Sequence, residues 1–246
     1  MNLKPLFNVL GALLTLLGIT MVVPIFISYF TEGYDLIGFI YSSLICISIG
    51  TPIWFFTRHN KSLNNKVGFA VVTFSWIFAA IGSSLPFYLS GAIPNYTDAF
   101  FESMSGVTTT GATIIGNPQT LPNLPNGIES LPKSILFWRS FTQWIGGMGI
   151  IVFSIAILTL LCVGLIILFK AEVPGTITDK IKPRVQETAK TLWLVYIGFT
   201  FLQILFLFFA GMPFFDSICH AFTTMPTGGF SIYNESIGCL LYTSPS

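Results

Sequence analysis

The chain has 246 residues, of which 53% are hydrophobic and 9% charged, with a net charge of +1. Water-soluble domains carry roughly 25% charged residues, so this composition excludes one and makes the lipid bilayer the first partner. No basic block exists to neutralise phosphates, which excludes a nucleic-acid partner.

Taken in chain order, apolar runs of roughly 20 residues mark membrane spans. They fall at Leu6–Phe30, Leu36–Thr57, Val67–Leu89, Ile135–Phe169 and Thr191–Gly211. The first has a single basic residue ahead of it and no small-x-small cleavage site, so it reads as a retained helix and not a signal peptide. The fourth is longer than a bilayer requires and is expected to tilt, to project into the cytoplasm, or to break near Gly164. Residues 98–107 and 216–225 are too short to span and read as re-entrant half-helices.

Basic residues set the orientation. Lys4, Arg58, Lys61, Lys66, Lys170, Lys180, Lys182, Arg184 and Lys190 fall on one side, and Lys133 and Arg139 on the other. The N-terminus, 58–66 and 170–190 are therefore expected in the cytoplasm. Glu32, Asp35, Asp98, Glu102, Glu129, Asp216 and Glu235 lie on the outer side, where they favour cations.

The most informative feature is a pair of matched stretches, DAFFESMSGVTTTGATII at 98–115 and DSICHAFTTMPTGGFSIY at 216–233. Aligned at an offset of 118 residues, they share Asp98/Asp216, Thr109/Thr227, Gly111/Gly229 and Ile114/Ile232. Ser105/Thr223 and Thr113/Ser231 are similar pairs. Polar backbone at membrane depth is tolerated only inside protein or along a water-filled path. A dehydrated cation needs about six to eight oxygens, which rings of backbone carbonyls supply. Aiming successive carbonyls at one axis requires positive φ, which glycine adopts cheaply. Gly111 and Gly229 are the candidates for that role, with Thr109, Thr110 and Thr227 adding oxygens and stiffness. The half-helices direct the negative ends of their dipoles at the ion. The competing reading makes TTTG and PTGG ordinary polar turns between helices.

SMSGVTTTGAT, FWRSFTQWIGGMGIIV, AEVPG and HAFTTMPTGGFS together resemble the potassium-translocating membrane subunits of bacterial Trk systems, in the Trk/Ktr/HKT superfamily. The resemblance runs from the N-terminus to about Gly238. It implies an all-α polytopic membrane protein of helix–pore-loop–helix repeats like those of potassium channels, four around one pore. Residues 1–57 fit a leading helix pair and 67–169 the first repeat. Residues 170–190 fit a cytoplasmic loop and 191–238 the start of a second repeat, truncated after its filter. The tail 239–246 fits nothing in that family.

By the same resemblance, Thr109, Thr110, Gly111, Ala112, Pro226, Thr227, Gly228 and Gly229 form two filter segments for potassium, the transported ion, with no other cofactor. Gly111, where sodium-preferring relatives have serine, points to potassium; a sodium or mixed cation transporter is the alternative within the superfamily. The resemblance also implies a homodimer when full length, a cytoplasmic nucleotide-binding regulatory subunit, and the bacterial inner membrane. With two filter segments of four, this stretch by itself is expected to be inactive.

Arg139 either pairs with Glu102 behind the first filter or sits at headgroup level. Gly146, Gly147 and Gly149 allow close helix approach. Glu172-Val-Pro-Gly either marks the contact with the regulatory subunit or belongs to a plain basic loop. Trp54, Trp138 and Trp144 read as interface anchors. Asp98 and Asp216 read as helix N-caps. His59 and His220 lie on opposite sides without companion ligands, so no metal site is expected beyond the filter. Cys46, Cys162, Cys219 and Cys239 show no paired spacing. A polytopic membrane enzyme needs a clustered catalytic set at one depth, which is not evident, and a secondary carrier with broken helices needs inverted repeats.

Overall fold

The structure is a computed structural model that describes residues 3–58, 65–115, 127–150 and 181–236, with side chains from 67 and 187 in the second and fourth of these stretches. Expectations placed on Gly164, His59, Lys61, Lys170, Lys180, Cys162, Cys239, Glu172 and its neighbours, and the tail lie outside them. Among the described residues every regular element is helical.

The elements are α1 (Lys4–Thr20), α2 (Val22–Phe30), α3 (Leu36–Thr57), α4 (Asn65–Leu89), α5 (Tyr96–Val107), α6 (133–150), α7 (Ile181–Phe209) and α8 (Phe214–Thr224). A short 3-10 turn, Gly127–Ser130, precedes α6. Among the described residues, four stretches are long and apolar enough to cross a membrane: Lys4–Phe30, Leu36–Thr57, Val67–Leu89 and Glu187–Phe209.

Four boundaries differ from the sequence reading. The first span is divided at Met21. Pro24 has no N–H to offer the carbonyl one turn back, so the helix cannot continue through it undisturbed. Next, α7 begins at Ile181, so residues 181–190 of the expected loop are helical. Pro183 sits in its first turn, where a missing N–H costs nothing. Finally, both half-helices start two residues early. Asn95, not Asp98, caps α5 by accepting from the Thr97 N–H at 3.1 Å, and α8 follows Pro213 without a side-chain cap. Asp98 and Asp216 occupy the first turns instead, where a carboxylate complements the helix dipole.

The leading pair α1 and α3 pack closely. A Cβ added at Gly11 would lie 2.6 Å from the Trp54 nitrogen, and Ser43 Oγ donates to the Gly18 carbonyl at 2.7 Å. α4 then packs against α1, α3 and α5. The main core is built from Phe39, Phe87, Ile93, Ala99, Ile135 and Trp138, with the Phe39 and Trp138 rings edge-on at 6.1 Å.

Trp138 is fully buried and donates to the Ser83 carbonyl at 3.0 Å, while Trp144 donates to Thr200 Oγ1 at 3.0 Å. Trp138 is therefore not an interface anchor: its indole N–H is satisfied on a neighbouring helix, which lets a large ring act as core. Trp54 remains partly exposed beside Arg58.

Asp35 is buried between the leading pair and α6, accepting from Ser28 Oγ at 2.9 Å and from Ser134 Oγ. On α7 the side chains of Phe199, Phe201, Phe206 and Phe209 are exposed. Such a surface suits hydrocarbon and is costly in water.

Candidate functional site

The two matched stretches adopt the same backbone. Thr109 and Gly111 have φ of 57° and 78°, and Thr227 and Gly229 have 55° and 80°. The hydrogen bonds repeat at the same offset. Thr109 N–H donates to Gly106 O at 3.0 Å and Thr110 N–H to Ser105 O at 2.9 Å. Thr227 N–H donates to Thr224 O at 2.9 Å and Gly228 N–H to Thr223 O at 2.8 Å. An ordinary polar turn has no reason to recur in this detail on a partner 118 residues away.

Positive φ at the glycines follows from their missing Cβ. At Thr109 and Thr227 it does not, because a β-branched residue in that region is a genuine outlier costing about 1–3 kcal/mol. Sequence reasoning reserved positive φ for glycine and missed this. The only signal was the Thr-x-Gly spacing shared by both copies. Strain held at matched points marks a backbone shaped by something other than local preference.

The segments also touch. A Cβ built on Gly111 would come 2.0 Å from the Gly228 carbonyl oxygen and 3.5 Å from Gly229 Cα. Thr110, Ala112, Thr227 and Gly229 are exposed, Pro226 is half-buried, and Gly228 is buried behind them. Thr110 shares a hydroxyl–hydroxyl hydrogen bond with Thr108 at 2.8 Å.

Behind the segments lies a buried ion pair. Arg139 and Glu102 are 1% and 0% exposed and meet at 2.8 Å. Arg139 therefore pairs inside the protein and does not sit at headgroup level. Its Nε donates to Glu102 at 2.9 Å, Nη1 to the Ser231 carbonyl at 3.0 Å, and Nη2 to Thr113 Oγ1 at 3.2 Å. Its guanidinium also lies over the Phe230 ring at 4.3 Å. Glu102 accepts from Thr113 Oγ1 at 2.9 Å and from the Ile114 N–H at 3.1 Å. One arginine thus ties the half-helix and the outgoing stretch of the first segment to the outgoing stretch of the second.

Gln143 was also missed. It is fully buried; its Nε2 donates to Gly228 O at 2.8 Å, and its Oε1 accepts from the Phe230 N–H at 3.2 Å. Inside FTQWIGGMG it looks like one polar residue on a helix, and nothing in the sequence indicates what it faces.

Of the α6 glycines, Gly146 and Gly147 make the close approach expected of them. A Cβ at Gly146 would meet the Val107 carbonyl at 2.0 Å, and one at Gly147 would meet Pro226 Cβ at 2.5 Å. Both contacts are to the C-terminal side of a half-helix, where the matched Thr-Gly segments begin.

His220 occupies the position in α8 that Glu102 holds in α5. It is buried, stacks on Tyr233 at 6.2 Å between centroids, and its Nε2 has no partner among the described residues. Tyr233 in turn donates to Asp216 at 2.6 Å. The two copies therefore back their segments with different chemistry. Among the described residues, no three His, Cys, Asp or Glu side chains gather as a metal site would need.

Comparison with known proteins decides the family. The model of a family described as TrkH, cation transport protein, matches residues 37–241. The chain belongs to this family. It is 41% identical to the Trk system potassium uptake protein TrkH of Salmonella typhimurium over 97% of its length and 48% of that protein's. It is 34% identical to the Trk system potassium uptake protein TrkG of Escherichia coli K12, across 96% of this chain and 47% of that one. The crystal structure of the potassium transporter TrkH from Vibrio parahaemolyticus superposes with a TM-score of 0.76 at 35% identity, covering all of this chain and 47% of that one. The chain spans about half the length of these relatives. It is an all-α polytopic membrane protein of a transporter family, not an enzyme.

Proposed function

We propose that the full-length protein containing these residues takes up potassium across the bacterial inner membrane through a carbonyl-lined filter. The observation that carries this reading is the pair of left-handed positions, Thr109/Gly111 and Thr227/Gly229, reproduced at one offset with the same hydrogen-bond register. Residues 109–112 and 226–229 are two of four such segments. Potassium enters from the outer side and exchanges water for carbonyl and threonine oxygens. It is held there by the C-terminal dipoles of α5 and α8. Arg139 and Glu102 brace the segments from behind and do not touch the ion. Gly111 favours potassium over sodium.

The name of the relatives, Trk system potassium uptake protein, supports potassium as the cargo. The cytoplasmic N-terminus, a homodimer and a nucleotide-binding cytoplasmic partner belong to the same proposal, as do the divisions at 1–57, 67–169, 170–190 and 191–238. Conduction is a property of the full-length protein, because two segments supply half a ring.

The test is growth on low potassium of bacteria lacking their own uptake systems, expressing the full-length protein, with Gly111→Ser and Gly229→Ser alongside. Rescue by the wild type, reduced by both substitutions, is expected. Rescue that neither substitution alters would remove the filter assignment.

A further inference from the structure

The geometry points to Gln143 as a positioning residue that sets ion discrimination: its carboxamide fixes the shape of the second filter segment from behind, and through it the preference for potassium over sodium. This inference rests on the filter reading of 109–112 and 226–229.

The Gly228 carbonyl is held on two sides. On one, Gln143 Nε2 donates to it at 2.8 Å; on the other, Gly111 lies so near that a Cβ there would stand 2.0 Å from the oxygen. The carboxamide lies directly against the segment, since a Cβ on Gly228 would come within 2.4 Å of Gln143 Cδ and Oε1. The same carboxamide accepts from the Phe230 N–H at 3.2 Å, so one planar group grips the backbone on either side of Gly229.

That grip needs a donor and an acceptor in one rigid plane, which only a carboxamide provides at any pH. Leucine has neither group. An ionised glutamate accepts from Phe230 but cannot donate to Gly228.

The need for a grip follows from the sequence of the segment. Gly228 and Gly229 are adjacent, and glycine pairs rotate their shared peptide at little steric cost. A rotated Gly228–Gly229 peptide changes which oxygens face the ion and how far apart they stand. Selectivity depends on the number and spacing of those oxygens. The first segment has threonine, Thr110, at the position of Gly228, and anchors it locally through the Thr108 hydroxyl at 2.8 Å. The second lacks that hydroxyl and takes its restraint from α6 instead.

The experiment measures potassium and sodium flux into proteoliposomes containing the full-length protein with Gln143→Leu or Gln143→Glu, at matched protein amounts. Losing the buried hydrogen bond to the Gly228 carbonyl, which both variants share, is expected to lower the potassium-to-sodium flux ratio by about tenfold in each. Total cation flux is retained, an outcome that a purely structural role would not give. Gln143→Glu keeps the size and the Phe230 acceptor, and is read if Gln143→Leu does not accumulate. A ratio within twofold of wild type in an accumulating variant overturns the inference. Failure of both variants to accumulate also overturns it, because Gln143 is then needed for folding. Gly111→Ser and Gly229→Ser run in parallel separate the two failures. If they shift the ratio and the Gln143 variants do not, only the role of Gln143 falls; if none shifts it, the filter reading falls as well.

Discussion

At the scale of single residues, the Arg139–Glu102 pair and the two proposed filter glycines, Gly111 and Gly229, carry the sharpest expectations. Both charges are buried, and the arginine spends its donors on Glu102, Thr113 and the Ser231 carbonyl. Removing one partner leaves the other charge buried and uncompensated, which costs about 3–5 kcal/mol. Glu102→Gln and Arg139→Leu should each lower the thermal unfolding midpoint in detergent, and the double variant should cost less than the sum of the singles. Additive losses would mean that the two side chains are not coupled. The glycines should differ from each other. Gly229→Ala meets open space and pays only the left-handed backbone penalty, about 1–2 kcal/mol. Gly111→Ala pays the same penalty and also drives its methyl into the Gly228 carbonyl. Potassium uptake should therefore fall further in Gly111→Ala than in Gly229→Ala, and the reverse order would show that the segments are not in contact.

At the scale of elements, α6 is the brace against which both half-helix ends are set. Gly146 lies against the Val107 carbonyl at the end of α5, and Gly147 lies against Pro226 just after α8. Gly146→Val has no space to enter and should abolish accumulation of the folded protein in membranes. Leu16→Ala, at a side chain 60% exposed on α1, should leave accumulation unchanged. Comparable immunoblot signals from both would refute the packing. The aromatic residues Phe141, Trp144, Phe222 and Tyr196 complete the contact among α6, α7 and α8, with ring centroids 5.2–5.7 Å apart. That stack holds Trp144, half-buried, against α7 and α8.

At the scale of the whole molecule, the distribution of charge is the testable feature. The expected outer side carries Glu32, Asp35, Asp98, Glu102, Glu129, Asp216 and Glu235 with Lys133 and Arg139, and the other basic residues are expected on the opposite side. In a background with the native cysteines replaced, Ser130→Cys should react with a membrane-impermeant maleimide added to intact cells. Arg58→Cys should react only after the membrane is opened. Labelling in the opposite order would invert the topology and turn the filter mouths to the cytoplasm.

The repeat and every span except Ile135–Phe169, most of which lies outside the described residues, were legible in the chain, because apolar runs and Thr-Gly segments are local signals. The helix α3, Leu36–Thr57, carries the residue limits that hydropathy alone indicates. What lay beyond the sequence is what depends on residues far apart in it. Arg139 meets Glu102 across 37 positions, and Gln143 reaches Gly228 across 85. The indole of Trp138 finds a carbonyl 55 positions away. Strained threonines gave no local sign, since their left-handed backbone runs against their own preference and is held by surrounding contacts. The sequence by itself determined that this is a membrane protein with two copies of one polar device. Only the tertiary structure decided how the copies join, because shape and charge pairing are settled by partners that no local pattern names.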